Sequence, residues 1–484
     1  MRKSTASNKL KLTIIAIVAA LGLTGYFIGS SNAFQATAYS TGPPASHTGG
    51  PGETSCVECH SSFQVNSGGG GVTVSGLPAN YTPGANYPVT ITVNQTNAVQ
   101  FGFQAVALDN QNLQAGNYTV PGGPSPQIQL LNGIIGNPPN QTTRRYVEHT
   151  LAGITPTQFD TKSWTFTWQA PATRKGKVTF YAAGNGANGD GSTVGDYIYT
   201  GSKSVCSGSI QSNFDGDSKA DIAVFRPSTG VWYRQNSSNG QVSAVAFGSN
   251  GDKVVPGDFD GDGKNDIAVF RPSNGVWYIL RSSDNGVVTT QFGTSEDIPL
   301  VGDFTGDGKT DLAVFRPSTG VWYTLNLVNN AFTASQFGAN GDKPVTGDFD
   351  GDGKSDIAVY RPSTGVWYVL RSSNGSATAV QFGIAEDRAV PGDYDGDGKT
   401  DLAVYRPSSG VWYLLQSTAG FTAVQFGVAT DQPVPTDYDG DCKTDIAVFR
   451  NGLWYVLNSS NSSLSTYQFG VANDVPAASV YSTQ

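Results

Sequence analysis

Six aspartate-rich loops recur through the second half of the chain, beginning at Asn213, Asp258, Asp303, Asp348, Asp393 and Asp437, 45 residues apart except for a last step of 44. Trp232, Trp277, Trp322, Trp367, Trp412 and Trp454 keep nearly the same period. A fixed period of this length restricts the fold to a solenoid, a propeller or an array of units. One unit reads as a short strand at 254–259, a loop at 258–266, a strand at 266–271, a turn at 272–275, and strands at 276–280 and 288–292. Four antiparallel strands make a propeller blade. A solenoid would need shorter rungs, and about 45 residues are too few for a self-sufficient core. A ring of blades buries each sheet between its neighbours, with the repeated tryptophan placed for that packing. The segment 477–481 aligns with the first strand of a further unit, so it is expected to complete a blade begun at the other end. The count is six blades, or seven if the segment before Asn213 contributes more.

Residues 72–205 show short alternating runs, at 87–93, 101–108, 163–168 and 177–181, separated by Pro/Gly breakers. They predict a β-sandwich ending near Thr200, and the chain as a whole is expected to be all-β. Residues 34–71 read as a Gly/Pro-rich arm. Residues 1–33 carry a basic start (Arg2, Lys3, Lys9, Lys11), an apolar run, and small residues before Ala33. This is the pattern of a cleaved export signal. An uncleaved anchor is the other reading of the same run. Export places the protein in the periplasm, at the cell surface or outside the cell.

The loop Asp258-Phe259-Asp260-Gly261-Asp262-Gly263-Lys264-Asn265-Asp266 puts carboxylates at positions 1, 3, 5 and 9. Alternate side chains on a tight loop converge, and calcium takes six to eight such oxygens. The Lys264 carbonyl can add one, while Gly261 and Gly263 permit positive φ. The corresponding ligand sets are Asn213, Asp215, Asp217, Lys219 and Asp221; Asp303, Thr305, Asp307, Lys309 and Asp311; Asp348, Asp350, Asp352, Lys354 and Asp356; Asp393, Asp395, Asp397, Lys399 and Asp401; and Asp437, Asp439, Asp441, Lys443 and Asp445. The lysines serve through their carbonyls. Up to six calcium ions are expected, held more weakly where Asn213 and Ser218 stand in loop one and Thr305 in loop three. No glutamate follows at position 12 and strands flank the loop, which separates it from an EF-hand. The net charge of −9 becomes −13 without the leader, and the loops hold 22 of the 38 acidic residues. With no basic patch, nucleic acid is excluded as a partner.

The run from Asp258 to Pro272, with Phe-Gly closing each unit, resembles the bacterial FG-GAP or VCBS repeat family, whose blades are similar to the calcium-binding blades of integrin α-chains. The resemblance implies a propeller used for adhesion, ligand binding or scaffolding.

Cys56-Val57-Glu58-Cys59-His60 matches the attachment signature of c-type haem. Two thiols at that spacing reach two vinyl groups, and the histidine becomes the proximal ligand. A disulfide or a metal site are the alternatives. Met1 is the only methionine and leaves with the leader, so a sixth ligand would be His47 or His149, with His149 preferred, or the position stays open. Gly42-Pro43-Pro44, residues 48–53, the cysteine pentapeptide and residues 178–185 resemble a bacterial Reeler-like (choice-of-anchor) domain of surface proteins. Cys206 and Cys442 fall at the two ends of the ring, where a disulfide would lock closure.

All three histidines lie before residue 150, leaving the propeller none for acid–base work. A non-enzymatic binding protein is therefore expected, its blade-tip loops ordered by calcium and meeting a protein or glycan ligand. The alternative is an extracytoplasmic c-type cytochrome that meets a redox partner, with the propeller as docking platform. With the leader removed, no transmembrane segment remains.

Overall fold

A computed structural model describes residues 41–78, 80–135, 141–156, 158–207 and 211–478. The leader at 1–33 and residues 479–481 of the expected closing strand lie outside them. The described residues contain no α-helix, only single 3-10 turns at Cys56–Glu58 and Leu151–Gly153.

Ten strands build the N-terminal sandwich: β1 (Gly71–Ser75), β2 (Asn80–Tyr81), β3 (Asn86–Asn94), β4 (Gln100–Asp109), β5 (Asn117–Thr119), β6 (Ile128–Ile135), β7 (Thr142–His149), β8 (Thr161–Gln169), β9 (Val178–Ala187) and β10 (Tyr197–Ser207). They form sheets in the orders β1-β3-β8-β5 and β2-β10-β9-β4-β7-β6. Alternation decides which face is buried. In β3, Val89, Ile91 and Val93 face the core, while Thr90 and Thr92 bond outward to Thr165 and Ser163 of β8. Trp164, Phe166 and Trp168 of β8 complete that core. The last strand runs to Ser207, past the expected end near Thr200, because β10 stays paired with β9 as far as Val205.

The arm expected at 34–71 is fastened to the sandwich wherever it is described. Glu53 meets Arg144 of β7 at 2.5 Å with both side chains buried, and Tyr146 donates to the same carboxylate at 2.8 Å. His47 N donates to Gln104 of β4. Proline and glycine here shape turns without freeing the chain. Glu53→Ala would strand the Arg144 charge, and we expect a loss of about 3 kcal/mol in chemical denaturation.

Six four-stranded sheets follow. In the second blade the strands are Lys253–Val254, Ile267–Arg271, Val276–Leu280 and Val287–Gln291. The second strand is wholly buried up to its arginine, the third alternates, and the fourth faces solvent on every other residue. Burial thus declines from the axis to the rim. Each repeated tryptophan is at most 1 % exposed and donates its indole N–H to the carbonyl of the phenylalanine in the closing Phe-Gly, as Trp277 does to Phe292 at 2.8 Å. Apolar clusters form between adjacent blades: Phe270 and Trp277 pack with Leu312 and Val314 of the next blade.

The ring closes as expected, with a shift in register. Val475–Pro476 takes the place of the first strand in the first blade, paired with Ile222–Arg226, and Ala477 N adds a bond to Ala223 O. Among the described residues there are six blades. The Cys206–Cys442 disulfide ties the segment before the first blade to the last loop, with Cα atoms 5.5 Å apart.

A second periodic device is an arginine–aspartate pair in every blade. Arg271 grips Asp252 through Nε and Nη2, both at 2.8 Å, and its guanidinium lies 4.5 Å from the Tyr278 ring centroid. The same pairing joins Arg226–Asp474, Arg316–Asp297, Arg361–Asp342, Arg406–Asp387 and Arg450–Asp431. Bidentate geometry with a stacked aromatic is where arginine outperforms lysine. These pairs end the second strands, so they lie on the face opposite the aspartate-rich loops.

Candidate functional site: an aspartate-loop ring and a histidine–cysteine cleft

The six aspartate-rich loops form a continuous ring on one face. The amide at position 8 of each loop donates to the position 1 carbonyl of the preceding one, as Thr310 N does to Asp258 O at 2.7 Å; Ala220 N to Asp437 O closes the circle. Each position 7 lysine lies across the position 4 glycine of the preceding loop, Lys309 over Gly261 and Lys219 over Gly440. Gly261 and Gly263 adopt φ of 80° and 86° as expected.

Within a loop the carboxylates divide the work. Asp258 accepts from the amides of Gly261 and Gly263, and Asp266 from those of Phe259 and Ser282. Asp260 and Asp262 accept from the hydroxyls of Ser283 and Ser282, on the turn between the third and fourth strands. These serines recur as Ser372 and Ser373, Ser417 and Thr418, and Ser459 and Ser460, and they went unremarked in the sequence, where a serine pair resembles ordinary turn chemistry.

Three carboxylates approach within 4.8 Å of one another in loop two (Asp258, Asp260, Asp262), loop four (Asp348, Asp350, Asp356), loop five (Asp393, Asp395, Asp401) and loop six (Asp437, Asp439, Asp445). Loops one and three show no such group among the described residues. Burial raises the proton affinity of these acids: Asp393 to about 8, Asp401 and Asp437 to about 7, Asp258, Asp266, Asp348 and Asp445 to about 6. Buried, mutually repelling carboxylates of this kind are relieved by a cation.

The sandwich sits on this face. Arg174 N donates to Gly351 O, and its Nε lies 2.9 Å from Asp348 Oδ2, an ion pair too bent to count as a hydrogen bond. Asn110 Nδ2 donates to Gly396 O. A Cβ on Gly308, Gly353 or Gly398 would meet Thr82, Pro83 or Gly176 at 2.6–2.9 Å. Position 6 is glycine in those three loops for space as well as φ. In loops one and six it is Ser218 and Cys442, which take φ of 72° and 69°. On blades three to five the sandwich covers the loop face. Arg174→Ala should loosen the seat, seen as a larger radius of gyration in small-angle scattering; an unchanged radius would show the seat holds without this ion pair.

The second constellation lies in the sandwich. His47, His60, His149, Cys56 and Cys59 all line one open-mouthed cleft, a cavity of about 90 Å³ walled by Phe101, Phe103 and Ile154. The sequence places His149 far from the cysteines; β7 brings it back. Both cysteines are unbridged. Burial pushes the Cys56 thiol up to about 12 and raises that of Cys59. His60 donates through Nδ1 to Asp196, which is 1 % exposed, at 2.8 Å; a carboxylate only accepts, which fixes the tautomer and leaves Nε2 for a ligand. His149 engages Phe103 through Nδ1. His47 has both nitrogens occupied, Nδ1 by Pro44 O and Ala45 O and Nε2 by Glu58 at 2.9 Å.

No three donors of this cleft lie within 4.8 Å among the described residues, so they do not converge on a bare ion. Gly102 leaves room for the imidazole, since a Cβ there would come within 2.7 Å of His149 Cε1. Asn185 Oδ1, buried without a partner, also belongs to a residue lining the cleft. Two unbridged thiols beside His60, whose Nε2 is left open, and His149 on the same cleft are the donor set on which a covalently held haem would draw.

Five overlapping segments, 213–269, 258–314, 303–359, 348–404 and 393–448, match the FG-GAP-like repeat family. Residues 213–448 of the propeller therefore match FG-GAP-like repeats. No curated protein matches the chain. Among solved structures, this chain is similar to virginiamycin B lyase from Staphylococcus aureus, at 8 % identity and a TM-score of 0.37, over 54 % of this chain and 93 % of that one. The human F-spondin reeler domain is similar at 19 % identity and a TM-score of 0.20, over 30 % of this chain and 93 % of that one. Both are distant.

Proposed function

We propose that this FG-GAP-repeat protein is an exported calcium-binding scaffold for adhesion or ligand binding. The gathering of three carboxylates in loops two, four, five and six carries the reading. Calcium there draws on the position 1, 3, 5 and 9 side chains. The disulfide favours an oxidising compartment, and no helix among the described residues is long and apolar enough to cross a membrane. With blades three to five covered on the loop face, the protein or glycan ligand is offered the opposite face, where the Arg–Asp pairs hold the turns. Titration calorimetry on chelator-stripped protein tests the reading: saturable calcium binding is expected, and absence of heat at millimolar calcium would remove it.

The cleft favours a second role, an extracytoplasmic c-type cytochrome docked on the propeller. Cys56 and Cys59 would hold a haem covalently, with His60 and His149 as the candidate iron ligands, and a bound haem supplies one-electron chemistry. Asp196 keeps the proton on His60 Nδ1 and orients the ring. An absorption spectrum of protein made with cytochrome c maturation machinery decides: a haem band that stays with the denatured chain supports this role, and Cys56 and Cys59 recovered as a disulfide without haem contradicts it.

A further inference from the structure

Loop three departs from the others in more than Thr305. In blades two, four and six the turn facing the loop brings hydroxyls to the carboxylates at positions 3 and 5, and in blade five both hydroxyls reach the position 5 carboxylate. In blade three that turn reads Asn326-Leu327-Val328 and has no hydroxyl. Asn326 instead turns inward, 2 % exposed. Its Nδ2 donates to Asp311 Oδ1 at 2.6 Å, Asp307 Oδ2 at 2.8 Å and Thr305 Oγ1 at 3.0 Å. These are the side chains of positions 9, 5 and 3. Its Oδ1 accepts from the amides of Val328 and Asn329 at 2.8 and 3.0 Å, which fixes the orientation of the amide and aims its nitrogen at the loop.

The corresponding asparagine of blade six makes no such contact: Asn458 Nδ2 donates to Ser463 and Ser465 within its own turn. An asparagine at this place therefore does not turn inward in every blade. It coincides with the loss of one carboxylate, Thr305 standing where loops two, four, five and six have aspartate.

We propose that the Asn326 amide occupies the centre of loop three in place of a cation, so that this loop binds no calcium and is preformed without it. An amide nitrogen with two hydrogens supplies the positive edge that three oxygens need, at no cost in ligand dehydration. The remaining carboxylate, Asp303, accepts from the amides of Gly306, Asp307 and Gly308, as the position 1 aspartates of loops two, four and five do in theirs, so the difference lies at positions 3, 5 and 9. Loop three also lies under the sandwich, its Gly308 against Thr82. One seat of the sandwich is thus independent of calcium. The proposal rests on the calcium reading of the other loops.

The test counts calcium on the full-length mature protein by equilibrium dialysis. Asp307→Asn in loop three should leave the number of bound equivalents unchanged, while Asp352→Asn in loop four should remove or weaken one. Loss of one equivalent in Asp307→Asn overturns the proposal while the calcium reading stands. Wild-type protein that binds no calcium overturns both. Hydrogen exchange on the wild type needs no variant: calcium should increase amide protection in loops two, four, five and six and leave 303–311 unchanged, and calcium-dependent protection at 303–311 would equally overturn the proposal.

Discussion

Chelating calcium lowers the melting temperature of the propeller by roughly 20 °C at pH 8 and opens it to protease. A site held at a hundredfold its Kd contributes about 2.7 kcal/mol, and four sites, at about 2 °C per kcal/mol for a domain of this size, give that shift. The effect depends on pH in a defined sense. Burial raises the folded-state pKa of the loop acids, Asp393 to about 8 and Asp258 to about 6, above the value they have in the unfolded chain. In the metal-free protein these groups contribute stability that is full below the unfolded carboxylate pKa and lost as pH rises through about 6 to 8. Calcium requires the ionised form and acts in the opposite direction. The gap in melting temperature between calcium and chelator should therefore widen from pH 5 to pH 8. An equal gap at both pH values, or none, would contradict the role given to these loops.

Opening the ring is the second large effect. The Cys206–Cys442 bridge spans 236 residues of sequence. Chain entropy assigns a crosslink of that span about 5 kcal/mol. Cys442 adopts φ of 69° at a position that is glycine in loops two to five, so replacing it alters backbone strain as well. The variant Cys206→Ser/Cys442→Gly removes the bridge and relieves about 1 kcal/mol of that strain. A net loss of about 4 kcal/mol is expected in chemical denaturation, with earlier exchange of the amides around 475–477. A variant as stable as the parent would show that strand pairing alone closes the ring.

The blades were legible because every unit repeats the same constraints. Tryptophan period, strand alternation, turn residues and loop glycines all agree, and the structure moved only boundaries, the closing strand lying at Val475–Pro476 where 477–481 was expected. Ring closure made the Cys206–Cys442 pairing readable too, since it places the two ends side by side. The Arg–Asp pairs were less visible: Asp252 and Arg271 lie 19 residues apart and meet only across paired strands. The inward amide of Asn326 was hidden for a different reason, because Asn458 at the corresponding place turns elsewhere. The seating of the sandwich was unreadable from local pattern, since Arg174 resembles any turn arginine until Asp348 is found beside it. The arm was misjudged because its glycines and prolines suggest slack, whereas the buried Glu53–Arg144 pair anchors it. In the cleft, Cys56, Cys59 and His60 were read from spacing, and His149 was reached only by elimination among three histidines.

Elemental analysis of the mature protein, made with haem-maturation machinery and dialysed against calcium-free buffer, tests both halves at once. We predict four equivalents of calcium that a chelator removes, and one equivalent of iron that remains with the chain through denaturation. Protein that folds, melts and resists protease identically while containing neither metal would contradict the proposed function at its foundation.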